Sequence, residues 1–444
     1  MSDTAHTPPG PPVVGNALKF ADDPLRFLVG VQEAYGNQYQ IVQVDPPVGQ
    51  LLNVVLDAEL VHEILADRER FARPDAGPEA ARREGLLSSD GVLWEQQRSV
   101  LQPEFVGANL SEYADVAART LEDTLAAWPE SGRIDLHEEL SVVTMRVITQ
   151  SLFSRDATPA RGREVHEAMT QFGEEFEPSV RDFLLPEALQ SGASEEFEAA
   201  SDTIESVASE FVEWHRQHDD PPEDMITALI QAQADPDVQL SENELIDEAV
   251  LFMTGGQETT ALTITYAFYW LSRHPEMKQR LQQEADSVLG GDAPEWGDLS
   301  ELSYTERVVR ETLRLTPAVW NLTREAREPT DVAGTHLEEG DFLIMPAYAH
   351  HRDSSVWSEP TEFRPDRWDG EVSRGTDAYF PFGSGPRVCI GKQIALTEAQ
   401  FALAHALQHY DVTVDHEHLD LQPSITLRPS GPVYATISER TPTA

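Results

Sequence analysis

One predicted helix constrains the fold of this chain more than any other feature of the sequence. Ser241 and Glu244 form a capping-box pattern at its start, and His274-Pro275 marks its end. At about 33 residues and about 1.5 Å per residue, this helix would span roughly 50 Å. That length is enough to cross a whole domain, and 40% hydrophobic residues allow a sizeable core around it.

The other predicted elements make the chain mainly α-helical with a minor β part. Helical periodicity dominates from Asp57 to about Leu289, and a further helix follows Cys389. Residues 38–56 indicate a hairpin, residues 318–346 indicate short strands, and short strands close the chain. Further helix starts are predicted at Ser111 and at the capping-box pattern of Ser303 with Glu306.

The domain organisation is simple. Residues 1–16 form a proline-rich N-terminal segment that we expect to be extended. Residues 350–388 are rich in Pro, Asp, Gly and aromatic residues and are predicted to be irregular. Because no linker or internal repeat is visible, we expect residues 17–444 to form one domain.

The charge balance is strongly acidic. The chain has 32 Lys and Arg residues against 78 Asp and Glu residues, a net charge of −46. This excess indicates a high-salt cytoplasm, as in a halophilic archaeon, where a Debye length of roughly 3 Å at about 1 M salt screens the carboxylates. An ordinary acidic protein is the alternative. The same field argues against nucleic acid or an anionic membrane as a partner.

Cys389 is the only cysteine, so no internal disulfide can form, which fits a reducing compartment. The N-terminal residues contain no apolar signal region, and no later run of about 18 apolar residues occurs. We therefore expect a cytoplasmic protein without a membrane anchor.

The segment around Cys389 carries the strongest functional signal. A lone cysteine is more often a small buried hydrophobe than a ligand. Here, however, Gly383 and Gly385 allow a tight loop to approach a flat cofactor, and Gly391 removes side-chain bulk beyond it. The helix that follows directs backbone N–H groups toward the sulfur, which favours a thiolate. Arg387 is a cation for a cofactor carboxylate.

This segment, from Phe382 to Gly391, matches the pattern F-x-x-G-x-R-x-C-x-G and so resembles the cytochrome P450 family. The resemblance implies the P450 fold, with the long central helix over haem b and Cys389 as the iron ligand. It further implies that Phe382 and Gly391 contact the cofactor. A dinucleotide-binding loop is the weaker alternative, because the third glycine at the required spacing is missing.

The long predicted helix contains Gly255-Gly256-Gln257-Glu258-Thr259-Thr260. Two mid-helix glycines indicate either a close helix crossing or a local widening that leaves room for O₂. The segment resembles the family's oxygen-activation motif [A/G]-G-x-[D/E]-T-[T/S]. The resemblance implies that Thr259 stabilises the oxygen-derived intermediate by a hydrogen bond and that Glu258 relays protons.

Several arginines are candidates for binding the cofactor. Trp94 and Arg98 lie one turn apart and match the family's W-x-x-x-R helix. The resemblance implies that both reach a haem propionate, as do Arg324 and Arg387.

A structural triad is also implied by the resemblance. Glu311 and Arg314 match E-x-x-R, and Arg367 lies in a segment similar to PxRF, with Trp368 in place of the usual Phe. These residues are expected to lock the loop before Cys389. His405 and His409 have helical metal-pair spacing, but no acid lies between them, so we expect solvated histidines.

The resulting hypothesis is an O₂-dependent monooxygenase acting on an apolar small molecule, such as a fatty acid, a terpenoid or a carotenoid-like compound. A peroxide-driven haem enzyme and a non-catalytic haem carrier or sensor are the alternatives. Electrons are expected from a separate ferredoxin-type donor, and the protein is expected to be a monomer. The resemblance places the pocket at residues 72–93, 172–188, 253–259, 318–322 and 430–433, with Phe172, Phe176, Phe183 and Leu184 at an apolar mouth.

Overall fold

The computed structural model describes residues 16–44, 51–74, 84–177, 193–236, 238, 240–369 and 376–440. Within these residues the chain is mainly helical with a smaller β part, as predicted. The helices are α1 (Ala17–Asp22), α2 (Pro24–Tyr35), α3 (Ala58–Ala66), α4 (Gly91–Leu101), α5 (Asn109–Ala127), α6 (Leu136–Leu152), α7 (Pro159–Glu174), α8 (Glu195–Gln217), α9 (Met225–Ala234), α10 (Glu242–Arg273), α11 (Pro275–Leu289), α12 (Ser303–Leu315), α13 (Ala347–His350) and α14 (Lys392–His409). The strands are β1 (Ile41–Val44), β2 (Leu52–Val55), β3 (Phe71–Ala72), β4 (Ser131–Asp135), β5 (Leu322–Ala326), β6 (Thr330–Val332), β7 (Thr335–Leu337), β8 (Phe342–Met345), β9 (Tyr410–Val414), β10 (Leu421–Pro423), β11 (Leu427–Pro429) and β12 (Tyr434–Glu439).

Helix α10 is the predicted long helix and runs unbroken for 32 residues. The predicted capping box is present: the Ser241 hydroxyl accepts from the Glu244 backbone N–H, and the Glu244 carboxylate accepts from the Ser241 backbone N–H. The helix packs along α6, and apolar residues on several of its faces are buried, including Leu245, Met253 and Ile264. A helix buried on several faces is central to a domain.

The described strands form four sheets, of which two have only two strands each, β6-β7 and β10-β11. The largest has the order β1-β2-β8-β5-β3, with β2 and β8 parallel and the other pairs antiparallel. Its β1–β2 pair is the hairpin predicted at residues 38–56, whose turn at 45–50 lies outside the described residues. The three-stranded sheet, β4-β12-β9, contains a strand that the sequence did not predict, because β4 is short and pairs only with the distant β12.

The start of α5 and the cap of α12 differ from the predictions, although α12 begins at Ser303 as predicted. Helix α5 begins at Asn109, and the Ser111 hydroxyl donates to the Ala108 carbonyl at 2.8 Å instead of capping. The prediction of a capping box at Ser303 is wrong. The Glu284 carboxylate from α11 accepts from the N–H groups of Tyr304 and Thr305 at 2.7 and 2.8 Å, so a neighbouring helix supplies the cap.

Glu248 is a buried carboxylate on α10. The residue has 0% exposure, and among the described residues no hydrogen bond of normal geometry reaches either carboxylate oxygen. Burial raises the pKa of Glu248 to about 8; the backbone amide of Leu86 lowers it, and Asp247 and Glu244 raise it further. The group is therefore a neutral acid at neutral pH.

The structure also bears on the expectations for the histidines, for membrane-spanning segments and for the N-terminal segment. His405 is only 3% exposed, so the expectation of a solvated histidine is wrong for this residue. In the described ranges no group of three or more His, Cys, Asp or Glu residues could hold a metal ion. No helix among the same residues is long and apolar enough to span a membrane. Of the N-terminal segment 1–16, only Asn16 is described.

Candidate active site

A tight loop places Cys389 just before α14. Gly383 and Gly385 have positive φ angles of 72° and 70°, a conformation that favours glycine. An added Cβ at Gly385 would lie 2.8 Å from the Leu65 carbonyl oxygen, so the loop packs directly on α3. The backbone N–H of Cys389 donates to the Phe382 carbonyl at 2.9 Å and closes the loop.

The Cys389 thiol lies in an environment of opposing influences. Burial among surrounding atoms raises its pKa, whereas the backbone amide of Gly391 and the cations Arg98 and Lys392 lower it; the net direction is upward. The residue still keeps solvent-accessible surface. The amide at the helix start thus acts in the expected direction, but burial outweighs it. The donor fits a metal ion, because coordination deprotonates a thiol.

The residues that flank Cys389 contribute to its surroundings through a backbone N–H group and through packing against the main core. An added Cβ at Gly391 would meet no atom of the described chain within 4 Å, and the backbone N–H of Gly391 lowers the pKa of Cys389. Phe382 and Ile390 pack against the main core, which also contains Met253 of α10. The loop and the long helix thus share one core.

Helix α4 brings Trp94 and Arg98, both predicted as site residues, to the loop that carries Cys389, here called the ligand loop. The Arg98 guanidinium donates to the Val388 carbonyl at 3.3 Å, one residue before the cysteine. Trp94 is 6% exposed, and its ring lies 4.2 Å from the Arg68 guanidinium carbon and 4.8 Å from that of Arg387. Cation–π packing therefore orders these arginines beside Cys389.

A cluster of buried guanidinium groups lies at this site. Burial, followed by repulsion from Arg73 and Arg387, lowers the pKa of Arg324 to about 9. Burial and Arg387 lower the pKa of Arg73 to about 10. Asp90 pairs with Arg387 at 2.9 Å, but neither Arg98 nor Arg324 forms an ion pair among the described residues. An anionic group would relieve this surplus of positive charge, so the cluster fits the two propionates of haem.

The glycine pair of α10 serves two different purposes. An added Cβ at Gly256 would lie 2.6 Å from Ile148 Cδ1, so this glycine permits the close crossing with α6. At Gly255 the nearest atom would be Leu251 Cδ1 at 3.9 Å, and the residue is exposed. The helix remains α-helical through both positions. The local widening that the glycines could allow therefore does not take the form of a break in the helix.

Thr259 and Glu258 follow on the next turn. The Thr259 hydroxyl donates to the Gly255 carbonyl at 2.7 Å, which places it beside the open glycine. Glu258 is 7% exposed and pairs with Arg428 of β11. The acid and the hydroxyl are thus adjacent in sequence but make different contacts.

The predicted triad is confirmed. The fully buried Arg314 and Glu311 pair through Nη2 and Oε1 at 2.8 Å, and Arg367 Nε donates to Glu311 Oε1 at 2.9 Å. Trp368, the departure from the family pattern, donates its indole N–H to Glu311 Oε2 at 2.9 Å, a bond that Phe could not make. Arg314 also donates to the His351 carbonyl at 2.7 Å.

These features together define a haem-thiolate protein: a cysteine in a glycine loop, a cluster of arginines around it and a long helix with an acid–hydroxyl pair. The family model for cytochrome P450 matches residues 6–435. The chain belongs to the cytochrome P450 family, and it is a monooxygenase with a cysteine-ligated haem iron.

Known relatives cover most of the chain. Cyclooctatin synthase of Streptomyces melanosporofaciens is 33% identical, with 89% of this chain and 87% of the relative covered. Pentalenene oxygenase of Streptomyces avermitilis is 31% identical over 94% of this chain and 93% of the relative. Human cytochrome P450 3A5 is 27% identical, with 97% of this chain and 91% of the relative covered.

Sequence reasoning missed two residues of this region. Arg73 joins the cationic cluster, and Arg428 pairs with Glu258. No spacing rule in the sequence identifies Arg73 or Arg428, because the fold brings them to the site from distant segments.

Proposed function

We propose that this monooxygenase oxidises an apolar terpenoid-type molecule. One atom of O₂ enters a C–H bond as a hydroxyl group, and the other leaves as water, with two electrons and two protons consumed. The observation that carries the proposal is the Thr259 hydroxyl beside the open Gly255, with the acid Glu258 next to it. The similarity to cyclooctatin synthase and pentalenene oxygenase favours terpenoids over fatty acids or carotenoid-like compounds.

Apolar residues support this substrate class. Phe172 and Phe176 lie 5.3 Å apart between ring centroids, and Phe172 stacks on Phe197 at 4.7 Å. They form an aromatic cluster at the end of α7, a segment proposed to line the pocket. Phe183 and Leu184, the other residues proposed for the mouth, lie outside the described residues.

The proposed cofactor contacts follow from the site. Cys389 would hold the iron of haem b, and Arg98, Arg324 and Arg387 would hold its propionates, with Trp94 ordering Arg387. Gly255, Gly256, Phe382 and Gly391 would bring backbone and ring surfaces close to the macrocycle. When bound, thiolate-ligated iron supplies the electron density that favours O–O cleavage. Thr259 would pass a proton at its hydroxyl oxygen, and Glu258 would restore that proton.

Electrons would come from a separate ferredoxin-type protein that docks near Lys392, beside the ligand loop. We further propose a monomer, with residues 17–444 as one domain, in the cytoplasm of a halophilic archaeon. The net charge of −46 supports the saline setting. High salt would also screen the repulsion between this chain and an acidic ferredoxin.

The test uses the haem-loaded protein with pentalenene as the probe, a ferredoxin, its NAD(P)H-dependent reductase and isotopically labelled O₂. The expected product carries one labelled oxygen atom and forms only with the reductase. Product formed from added peroxide but never from O₂ would favour the peroxide-driven alternative. No oxidation of pentalenene or of a panel of terpenoid hydrocarbons would overturn the substrate proposal.

A further inference from the structure

One histidine of α3 contacts both ends of a segment that leads into the ligand loop. The Nε2 atom of His62 lies 2.9 Å from the Asp377 carbonyl oxygen, and its Nδ1 atom lies 2.6 Å from the Ser384 hydroxyl oxygen. A carbonyl oxygen only accepts, so Nε2 carries a hydrogen, and in the neutral ring Nδ1 accepts from the Ser384 hydroxyl. His62 therefore bonds to both ends of the segment from Asp377 to Ser384.

Ser384 lies at the part of the ligand loop that its own backbone restrains least. Its backbone is extended, with a φ of −150°, and it stands between Gly383 and Gly385, whose φ angles are positive. Glycine loses more conformational freedom on folding than any other residue, so a turn built on two glycines needs outside contacts to keep one conformation. Ser384 carries the one side chain between these glycines, and that side chain bonds to His62.

Helix α3 is a well-packed support for these contacts. Its buried face belongs to the same core cluster as Phe380, a residue of the segment from Asp377 to Ser384. The His62 ring also contacts the Phe380 ring in a T-shaped arrangement, with centroids 6.1 Å apart. The helix thus meets this segment through a buried ring as well as through hydrogen bonds, and His62 takes part in both kinds of contact.

We propose that His62 is a positioning residue that holds the segment from Asp377 to Ser384 against α3 and thereby keeps the Cys389 sulfur where it would bind the haem iron. Residues that hold a metal ligand in place by hydrogen bonds affect the metal site although they do not touch the metal. Without His62 the two glycines gain freedom, and the sulfur leaves its position more often. The inference rests on the proposed role of Cys389 as the iron ligand.

The first test measures how long the iron keeps its thiolate ligand. The haem-loaded protein is reduced under carbon monoxide, and the red-shifted Soret band that marks the thiolate is followed over time at a fixed raised temperature. In His62→Ala the half-life of this band should fall about tenfold, because the loss of one or two hydrogen bonds changes an equilibrium by about that factor. The haem content before heating should equal that of the wild type.

Three further replacements of His62 separate hydrogen bonding from packing. His62→Asn places an amide oxygen near the position of Nδ1, where it can accept from the Ser384 hydroxyl. His62→Gln places an amide N–H near the position of Nε2, where it can donate to the Asp377 carbonyl. Each should recover part of the half-life. His62→Leu keeps much of the side-chain volume but neither bond, so its half-life should be as short as that of His62→Ala.

Hydrogen exchange in the same haem-loaded protein reports on the loop itself. The Cys389 backbone N–H closes the loop on the Phe382 carbonyl, so its exchange rate measures how often the loop opens. This rate should rise about tenfold in His62→Ala and by less in Ser384→Ala. In the double variant, Ser384→Ala should add little, because its partner is already absent.

The matched control is His416→Ala. His416 is half-buried like His62, and its Nε2 accepts from the Tyr434 backbone N–H at 3.3 Å. The variant therefore also removes a histidine that bonds to a distant backbone group. Because Tyr434 belongs to β12 and not to the ligand loop, His416→Ala should change neither the half-life of the band nor the exchange rate of the Cys389 amide.

Two results would overturn the inference. The first is a half-life and an exchange rate in His62→Ala that equal those of the wild type. The second is an effect of Ser384→Ala that is as large in His62→Ala as in the wild type, since the two side chains would then act independently. Failure of the proposed ligand looks different: the wild-type protein would lack the thiolate band, while the exchange rates would still decide whether His62 holds the loop.

Discussion

His351 Nε2 accepts a hydrogen bond from the backbone N–H of Phe380 at 3.1 Å, which joins the buried Glu311 network to the loop that carries Cys389. Burial and the nearby Arg314 hold the pKa of His351 well below its usual range, so the ring is neutral and can accept. Arg314 also donates to the carbonyls of Pro360 and Glu362 at 2.7 and 3.1 Å. Helix α12 therefore fixes the loop from one side.

Replacement of the proposed ligand gives a spectroscopic prediction. Cys389→Ser should lose the red-shifted Soret band of the reduced carbon monoxide complex, because that band marks a thiolate ligand. The far-UV circular dichroism of the haem-free variant should match that of the wild type. Survival of the band would show that the ligand assignment is wrong.

The bond between Trp368 and Glu311 predicts a loss of stability. Trp368→Phe leaves a buried carboxylate without one donor, and hydrogen bonds to charged groups contribute about 1.5–3 kcal/mol. Denaturant unfolding should show a loss of this size. Trp296, which is 40% exposed, offers the matched control Trp296→Phe, with little expected change. Equal stabilities of the two variants would contradict the role of the indole N–H.

The residues of this network show what sequence could predict. The α10 capping box and the Glu311–Arg314 pair depend on short spacings, whereas Arg367 was expected to join Glu311 only from the family resemblance; all three were confirmed. The cap of α12 was missed because Glu284 reaches it from another helix. Similarly, Arg428 meets Glu258 only through the packing of β11 on α10. Contacts made by tertiary structure leave no local pattern to read.

Proton delivery is tested at Thr259. Thr259→Ala should leave haem binding intact but lower the ratio of product to NAD(P)H consumed and raise peroxide release. Loss of one positioned group costs about 10²–10⁴-fold in the step it serves. Thr260 points about 100° around the helix, so Thr260→Ala should have a much smaller effect. Equal coupling in Thr259→Ala and wild type would defeat this assignment.

Glu248 predicts a pH-dependent stability difference. Its folded-state pKa of about 8 exceeds the ordinary value of 4.5, so the folded state binds the extra proton. The stability that this proton provides is fully present below pH 4.5 and is lost as the pH rises through 8. Glu248→Gln should therefore gain stability relative to wild type by up to roughly 1.4 kcal/mol per pH unit across this window.

The measurement for Glu248 is a series of melting temperatures at several pH values. Glu339→Gln, at an exposed turn residue, is the control and should follow the wild-type curve. A Glu248→Gln difference that does not depend on pH would show that the carboxyl group does not titrate between the two states.

The acidic surface gives a prediction about salt. Repulsion among 78 carboxylates should destabilise the fold when the charge is not screened. Lowering KCl from about 1 M to dilute buffer, where the Debye length grows from roughly 3 to 30 Å, should lower the melting temperature or release haem. A melting temperature that does not depend on salt would remove the argument for a halophilic source.

The seating of Gly385 on the Leu65 carbonyl has a consequence for engineering. Because α3 and the His351 bond both contact the cysteine loop, these protein contacts would help to keep the ligand sulfur in place if a porphyrin with another metal were substituted for haem.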